Sequence, residues 1–316
     1  MNSATAMLNL PDVPLWTDRQ RHLHARQALS IDAALLQSLR EPHFRGFVHS
    51  VFEHVVNVEG GDGWLFTIAS RDLDNAPNTL IVDTARFGGT GIDPGDRVDV
   101  TGSAIAIDMR IGIRLDRATA WHPALPAYPA DDAKLRRNLA TVRRQLGRPA
   151  IGGLQSPGGA PSALDCATAV TLERHAAMLC AALFRSDLQA ACTHGQAMIG
   201  LGPGLTPSGD DFLVGLFSVL HLPGSPCHAL RSVCADVVAD MAQRTTAISV
   251  AALKAAAQGR VRASIESLLR ELMAGSPAGL AAALSAVVAI GSTSGSDITA
   301  GIVAGFEIHL QVAGRR

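Results

Sequence analysis

A chain of 316 residues with 47% hydrophobic content exceeds what one small core needs, and at about 100–200 residues per domain it predicts two domains. The 27 Lys and Arg balance 28 Asp and Glu, and aromatic residues make up only 4%. With neither a basic stripe nor a base-stacking platform, nucleic acid is excluded as a partner.

The five cysteines, Cys166, Cys180, Cys192, Cys227 and Cys234, are odd in number and contain no CxxC pair. That argues against a disulfide framework or a thiolate zinc site, and they read as small buried hydrophobes of a reducing compartment. The first residues show no basic flank followed by an apolar core, so no signal peptide is expected. The most apolar run, 279–290, is too short for a bilayer core of about 30 Å. A cytoplasmic location without a membrane partner follows as the expectation.

In chain order, 30–40 spaces apolar residues helically behind a Ser, predicting a short leading helix capped by Ser30. The runs 46–58, 64–69, 79–83, 97–102 and 111–115 are rich in Val, Ile, Phe and Thr. Gly-, Asn-, Asp- and Pro-rich turns separate them, which predicts a small antiparallel β barrel or sandwich. The loop Arg86–Gly91, RFGGTG, lacks the Lys and following helix of a P-loop and reads as a hairpin turn. Three prolines in 121–129 mark a linker. A charged helix over 130–146 and a Gly/Pro-rich stretch over 151–162 come next. Helices are then predicted near 165–185, 187–199, 209–221, 226–243, 249–257, 261–274, 277–289 and 296–311. The fold class is therefore α+β, with a β-rich domain over 1–124 and an all-α domain over 125–316.

Two loops of the helical half share a pattern. Residues 200–211 read GLGPGLTPSGDD and 291–297 read GSTSGSD, each running into an apolar helix. Both contain Ser-Gly-x-Asp, at Ser208–Asp211 and Ser294–Asp297, and both place a Gly four residues after the Asp, at Gly215 and Gly301. The plain reading is a pair of capping boxes, each worth about 1 kcal/mol, with Gly215 and Gly301 admitting a neighbouring backbone. The density of Gly202, Gly204 and Gly209 and of Thr206, Ser208 and Ser294 exceeds what a cap needs. Free N–H groups, Gly and hydroxyls at helix starts are how proteins hold phosphate-like anions.

Asp210, Asp211 and Asp297 would repel such an anion. The conflict is relieved if they ligate a hard cation such as Mg²⁺, if they face amide donors of a substrate, or if they turn back onto their own helices. Arg244, in Arg244–Ser249, is the candidate cation for the same pocket, against the alternative of a surface Arg at a helix C-terminus. Ser249 is expected to cap the next helix. His194, just before the first loop, is either a proton shuttle or a packing group, and Lys254 reads as exposed solubility.

The segment GLGPGLTPSGDDFLVG, the Thr-Thr-x-x-Ser element at 245–249 and GSTSGSDITAG, in this order after a β-rich region, resemble the AllH family. The resemblance covers roughly 45–310. It implies a subunit of a three-component oxamate carbamoyltransferase working with two larger partner subunits. That enzyme interconverts oxalurate plus phosphate with oxamate plus carbamoyl phosphate. The implied substrate-binding residues are Gly202, Gly204, Thr206, Ser208, Gly209, Asp210, Thr245, Thr246, Ser294 and Gly295, with Asp211 and Asp297 beside them. Ser249 and Arg244 join the candidates from the reading of the residues. Asp211, Asp297 and Arg244 are the candidates for catalysis, and Asp210, Asp211 and Asp297 for a metal.

Carbamoyl transfer needs no protein nucleophile, only positioned reactants and donors for a tetrahedral oxyanion. The Ser-x-Arg-Thr-Arg phosphate loop of aspartate and ornithine transcarbamylases is absent, so a different grip is expected. Three rival readings stand beside this one. They are a non-catalytic binding or scaffolding subunit, a carbamoyltransferase for a related ureide, and a stand-alone metal hydrolase.

Overall fold

The computed structural model describes residues 24–40, 44–61, 63–101, 103–108, 110–146 and 162–314. The chain divides into two compact units, Met1–Pro123 and Ala124–Arg316.

The first unit is a barrel. Its strands are β1 (His24–Asp32), β2 (Arg45–Val51), β3 (Val55–Gly60), β4 (Leu65–Ser70), β5 (Thr79–Val82), β6 (Arg97–Thr101), β7 (Ala104–Ile107), β8 (Ile111–Arg114) and β9 (Thr119–Trp121), with helix α1 (Ala33–Leu39) after β1. The order is β5-β4-β3-β2-β6-β7-β8-β1, and β1 closes the ring onto β5. β9 continues the edge of β8, pairing with the far end of β1. Phe66, Ile68, Ile105, Ile107 and Ile113 fill the interior, each fully buried, and each such side chain contributes about 1.5–3 kcal/mol.

Three expectations for this unit need correction. The barrel is mixed rather than antiparallel, because β1–β8, β1–β9 and β4–β5 run parallel. Ser30 lies in β1, and the helix starts at Ala33 behind Asp32, whose Oδ1 accepts from Ala34 N at 3.3 Å. The cap is fixed because Asp32 Oδ2 also accepts from Asn78 N at 2.7 Å. Finally, the run 46–58 is two strands, turned where Phe52 N donates to Val55 O.

The second unit is helical throughout its described residues. It contains α2 (Ala133–Leu146), α3 (Ala163–Phe184), α4 (Leu188–Met198), α5 (Ser208–Leu220), α6 (Ser232–Val238), α7 (Ala247–Ala256), α8 (Ala263–Ala274), α9 (Pro277–Val288) and α10 (Ser294–Ala313). The predicted helix over 226–243 is instead a 3-10 turn, His228–Arg231, followed by the short α6. The chain turns again where Arg244 N donates to Met241 O. The linker is anchored to this unit, with Ala124 N donating to Glu266 Oε1 and Tyr128 N to Pro223 O. Residues 1–23 and 147–161 lie outside the described residues, as do the expectations that fall on them. No described helix is long and apolar enough to cross a membrane. Only Cys227 and Cys234 of the five cysteines are buried, while Cys166 is exposed.

α5 and α10 form the centre of the unit. Every residue of α5 is buried. The two helices cross at the glycines singled out above. A Cβ on Gly215 would sit 2.0 Å from Ile298 O, and one on Gly301 would sit 2.0 Å from Phe212 O. Each glycine therefore meets the residue that follows the other helix's Asp.

Candidate active site

The correspondence extends to the helix starts. A Cβ on Gly209 would lie 2.1 Å from Met198 O at the end of α4, and one on Gly295 would lie 2.0 Å from Val287 O near the end of α9. In each entrance a glycine with positive φ, Gly202 or Gly291, lies directly over the Ser, about 3.1 Å from its Oγ when a Cβ is added. Two helix–loop–helix pairs, α4–α5 and α9–α10, are thus built on one plan and packed crosswise.

The capping-box expectation does not hold. The N-cap of α5 is Pro207 and that of α10 is Thr293, and neither makes a side-chain cap bond. The Ser294 hydroxyl is used across the pair instead, lying 2.8 Å from Thr206 Oγ1 of the first loop. The two loops therefore meet in space.

Three acids lie at this meeting point, all buried. Asp210 is 1% exposed, Asp211 7% and Asp297 1%. Asp210 is satisfied by its surroundings. Its Oδ1 accepts from Gly200 N at 2.9 Å and its Oδ2 accepts from the Thr245 hydroxyl. Burial raises its pKa, opposed by Thr245, Gly200 and the nearby Ser249 hydroxyl, and by the charge of Arg244. The Ser249 hydroxyl is buried beside it.

Asp211 differs. Its Oδ2 is buried without a hydrogen-bond partner. Burial pushes its carboxyl up to about 7, Asp297 and Asp210 add to the rise, and the Ser294 and Thr206 hydroxyls oppose it. Near neutrality this group is a poised acid that can both give and take a proton.

The 244–249 segment joins the first loop but works internally. The Thr246 hydroxyl donates to Leu205 O at 2.6 Å and caps α7 by accepting from Ser249 N, so Thr246 and not Ser249 is the cap. The Arg244 guanidinium donates to Gln196 O at 2.5 Å, at the C-terminal end of α4. His194 lies within α4, its Nδ1 3.2 Å from that of His175 on α3. Gly204 stands open, with nothing near an added Cβ. Among the described residues, no three His, Cys, Asp or Glu side chains are grouped to hold a metal. Both oxygens of Asp210 already accept from protein donors.

Residues 198–306, which contain both entrances, match the family of the oxamate carbamoyltransferase subunit AllH, and residues 27–120 match the AllH family N-terminal domain. The chain belongs to the AllH family. It is a subunit of an oxamate carbamoyltransferase, and the word subunit implies partner chains. No solved structure matches it. The boundaries of the two matches fit the units seen here, the first within the barrel and the second running from the end of α4 into α10.

Proposed function

We propose that the paired entrances of α5 and α10 hold the anionic reactants of carbamoyl transfer, with Asp211 as the proton donor and acceptor. The reaction taken is oxalurate plus phosphate to oxamate plus carbamoyl phosphate, run together with two larger partner subunits. A phosphate oxygen attacks the ureido carbonyl, the bond from that carbon to the bridging nitrogen breaks, and the nitrogen leaves as the amide of oxamate. The departing nitrogen takes a proton from Asp211, which regains one from the attacking phosphate.

The observation that carries this reading is the 2.8 Å contact between Thr206 Oγ1 and Ser294 Oγ beside a buried carboxyl raised to about 7. The proton also removes the Asp211 share of the repulsion toward an anion, since a neutral carboxyl donates to an oxyanion. Ser208, Gly202, Gly204, Gly209 and Gly295 shape the backbone of the two entrances. Asp210, Thr245, Thr246 and Arg244 hold the first loop in place, and burial, aided by Asp297, favours the protonated form of Asp211.

The test is carbamoyl phosphate formation from oxalurate and phosphate by the assembled complex. Asp211→Asn is expected to lower kcat about 10²–10⁴-fold with little change in KM, and to remove an apparent pKa near 7 from the rate profile. Wild-type rates in both Asp211→Ala and Ser294→Ala complexes would leave this chain a scaffolding role only. Activity of the isolated chain would overturn the need for partners.

A further inference from the structure

The barrel carries a polar cavity lined by none of the residues assigned to the helical site. It encloses about 460 Å³ and is lined by Arg26, Arg86 and Arg110 together with Thr84, Thr90 and the Gly88-Gly89 backbone. That volume lies in the range of small-molecule sites and exceeds what a single water cluster needs.

Three guanidiniums around one cavity repel one another unless something negative sits between them. The carboxylates present compensate weakly. Arg86 reaches Glu53 only at 3.7 Å, and Arg110 reaches Asp93 at 3.9 Å and Asp96 at 4.0 Å. All but Asp96 are substantially exposed, so these pairs are worth little. Arg26 Nε is buried with no hydrogen-bond acceptor, which costs free energy until an acceptor arrives.

The loop is shaped by its hydroxyls and leaves its glycine amides free. The Thr84 hydroxyl donates to Arg86 O at 3.0 Å, and that of Thr90 donates to Phe87 O at 2.6 Å. Among the described residues, the N–H groups of Gly88 and Gly89 have no backbone acceptor. An added Cβ at either glycine would meet nothing within 4 Å, so packing does not explain why side chains are missing there. At Gly88, where φ is ordinary, neither does backbone strain. Bare amides beside arginine forks are the donor set that takes a carboxylate or phosphate.

We infer that this cavity is an oxyanion site of the barrel, taking a small molecule through its carboxylate or phosphate group. The site shares no residue with the entrances of α5 and α10 and does not rest on the role proposed for them.

The test is equilibrium binding to the full-length chain, by calorimetry, of inorganic phosphate in one arm and oxamate in the other. Saturable binding of at least one is expected. It should weaken about tenfold or more in Arg26→Gln and in Arg110→Gln, and persist when Thr206→Ala and Ser294→Ala are combined. Whichever arm responds assigns the group as phosphate or carboxylate. Thermal melts and Arg110→Lys, which keeps the charge but loses the fork, separate a lost ligand from a lost fold.

Binding that ignores Arg26 and Arg110 but disappears when Thr206→Ala and Ser294→Ala are combined overturns the inference, since the anion then belongs to the entrances of α5 and α10. No saturable binding in either arm, with Arg26→Gln instead weakening association with a partner subunit, also overturns it. The cavity would then be a protein contact.

Discussion

The entrances of α5 and α10 start from the same Ser-Gly-x-Asp pattern and put it to different use. In α5 the variable position is Asp210, buried and held by Gly200 and Thr245. In α10 it is Ser296, only partly buried, and no such lock forms around it. The first loop is therefore anchored through its acid to the 245–249 segment, while the second is held by its packing on α5 and by the Thr206–Ser294 contact. The motif fixes where backbone meets backbone, and the variable residue decides what each entrance contributes.

The comparison can be broken most sharply at Asp211. Its folded value near 7 lies above the ~3.9 of an unfolded Asp, so between those values the folded state keeps a proton the unfolded state has lost. Stability must then fall as pH rises from about 4 to about 7. Replacement by Asn should raise stability at pH 8 by about 2–4 kcal/mol and flatten that slope, leaving the smaller dependence of Asp210 with the same sign. Urea unfolding across pH checks it, and an unchanged slope in the variant would refute the assignment.

The crossing comes next in size. Gly215→Ala and Gly301→Ala each force a methyl against a carbonyl 2.0 Å away and should each cost about 1–3 kcal/mol. Because the two clashes lie in one shared crossing, the double variant should cost less than the two losses added together. Additive losses would mean the helices give way separately.

The smallest effect separates the two serines of α10. Ser294→Ala severs the link to Thr206 and should cost about 1 kcal/mol, whereas Ser296→Ala, which breaks no such link across the crossing, should cost less than half of that. Equal losses would show that the bridge contributes nothing to stability.

The helical half was legible because the spacing of Ala, Leu and Val is periodic and the repeated Ser-Gly-x-Asp-x₃-Gly stands out against it. What failed were inferences from local chemistry. Ser208 and Ser294 have the spacing of capping residues, yet the second loop's hydroxyl is claimed by Thr206, a contact across 88 positions that no local rule contains. Thr246 rather than Ser249 caps α7 because the turn at Met241–Arg244 ends earlier than periodicity suggests. In the barrel, β7 reads AIAI and is buried on both faces, so it lacks the alternation that announces a strand. Parallel pairing leaves no mark on composition at all. The arginine-lined cavity assembles residues 26, 86 and 110 from separate strands and loops, and only Arg86-Phe87-Gly88-Gly89 hinted at it.

The closing strand also says something about how the barrel must form. β1 is the first of the described strands in chain order, yet its partners β5, β8 and β9 begin at residues 79, 111 and 119. It has to wait, unpaired, while most of its unit is synthesised, and contacts so distant in sequence make for slow closure. A deletion of β1, residues 24–32, would remove the strand that joins the two ends of the sheet, leaving two raw edges open to other chains.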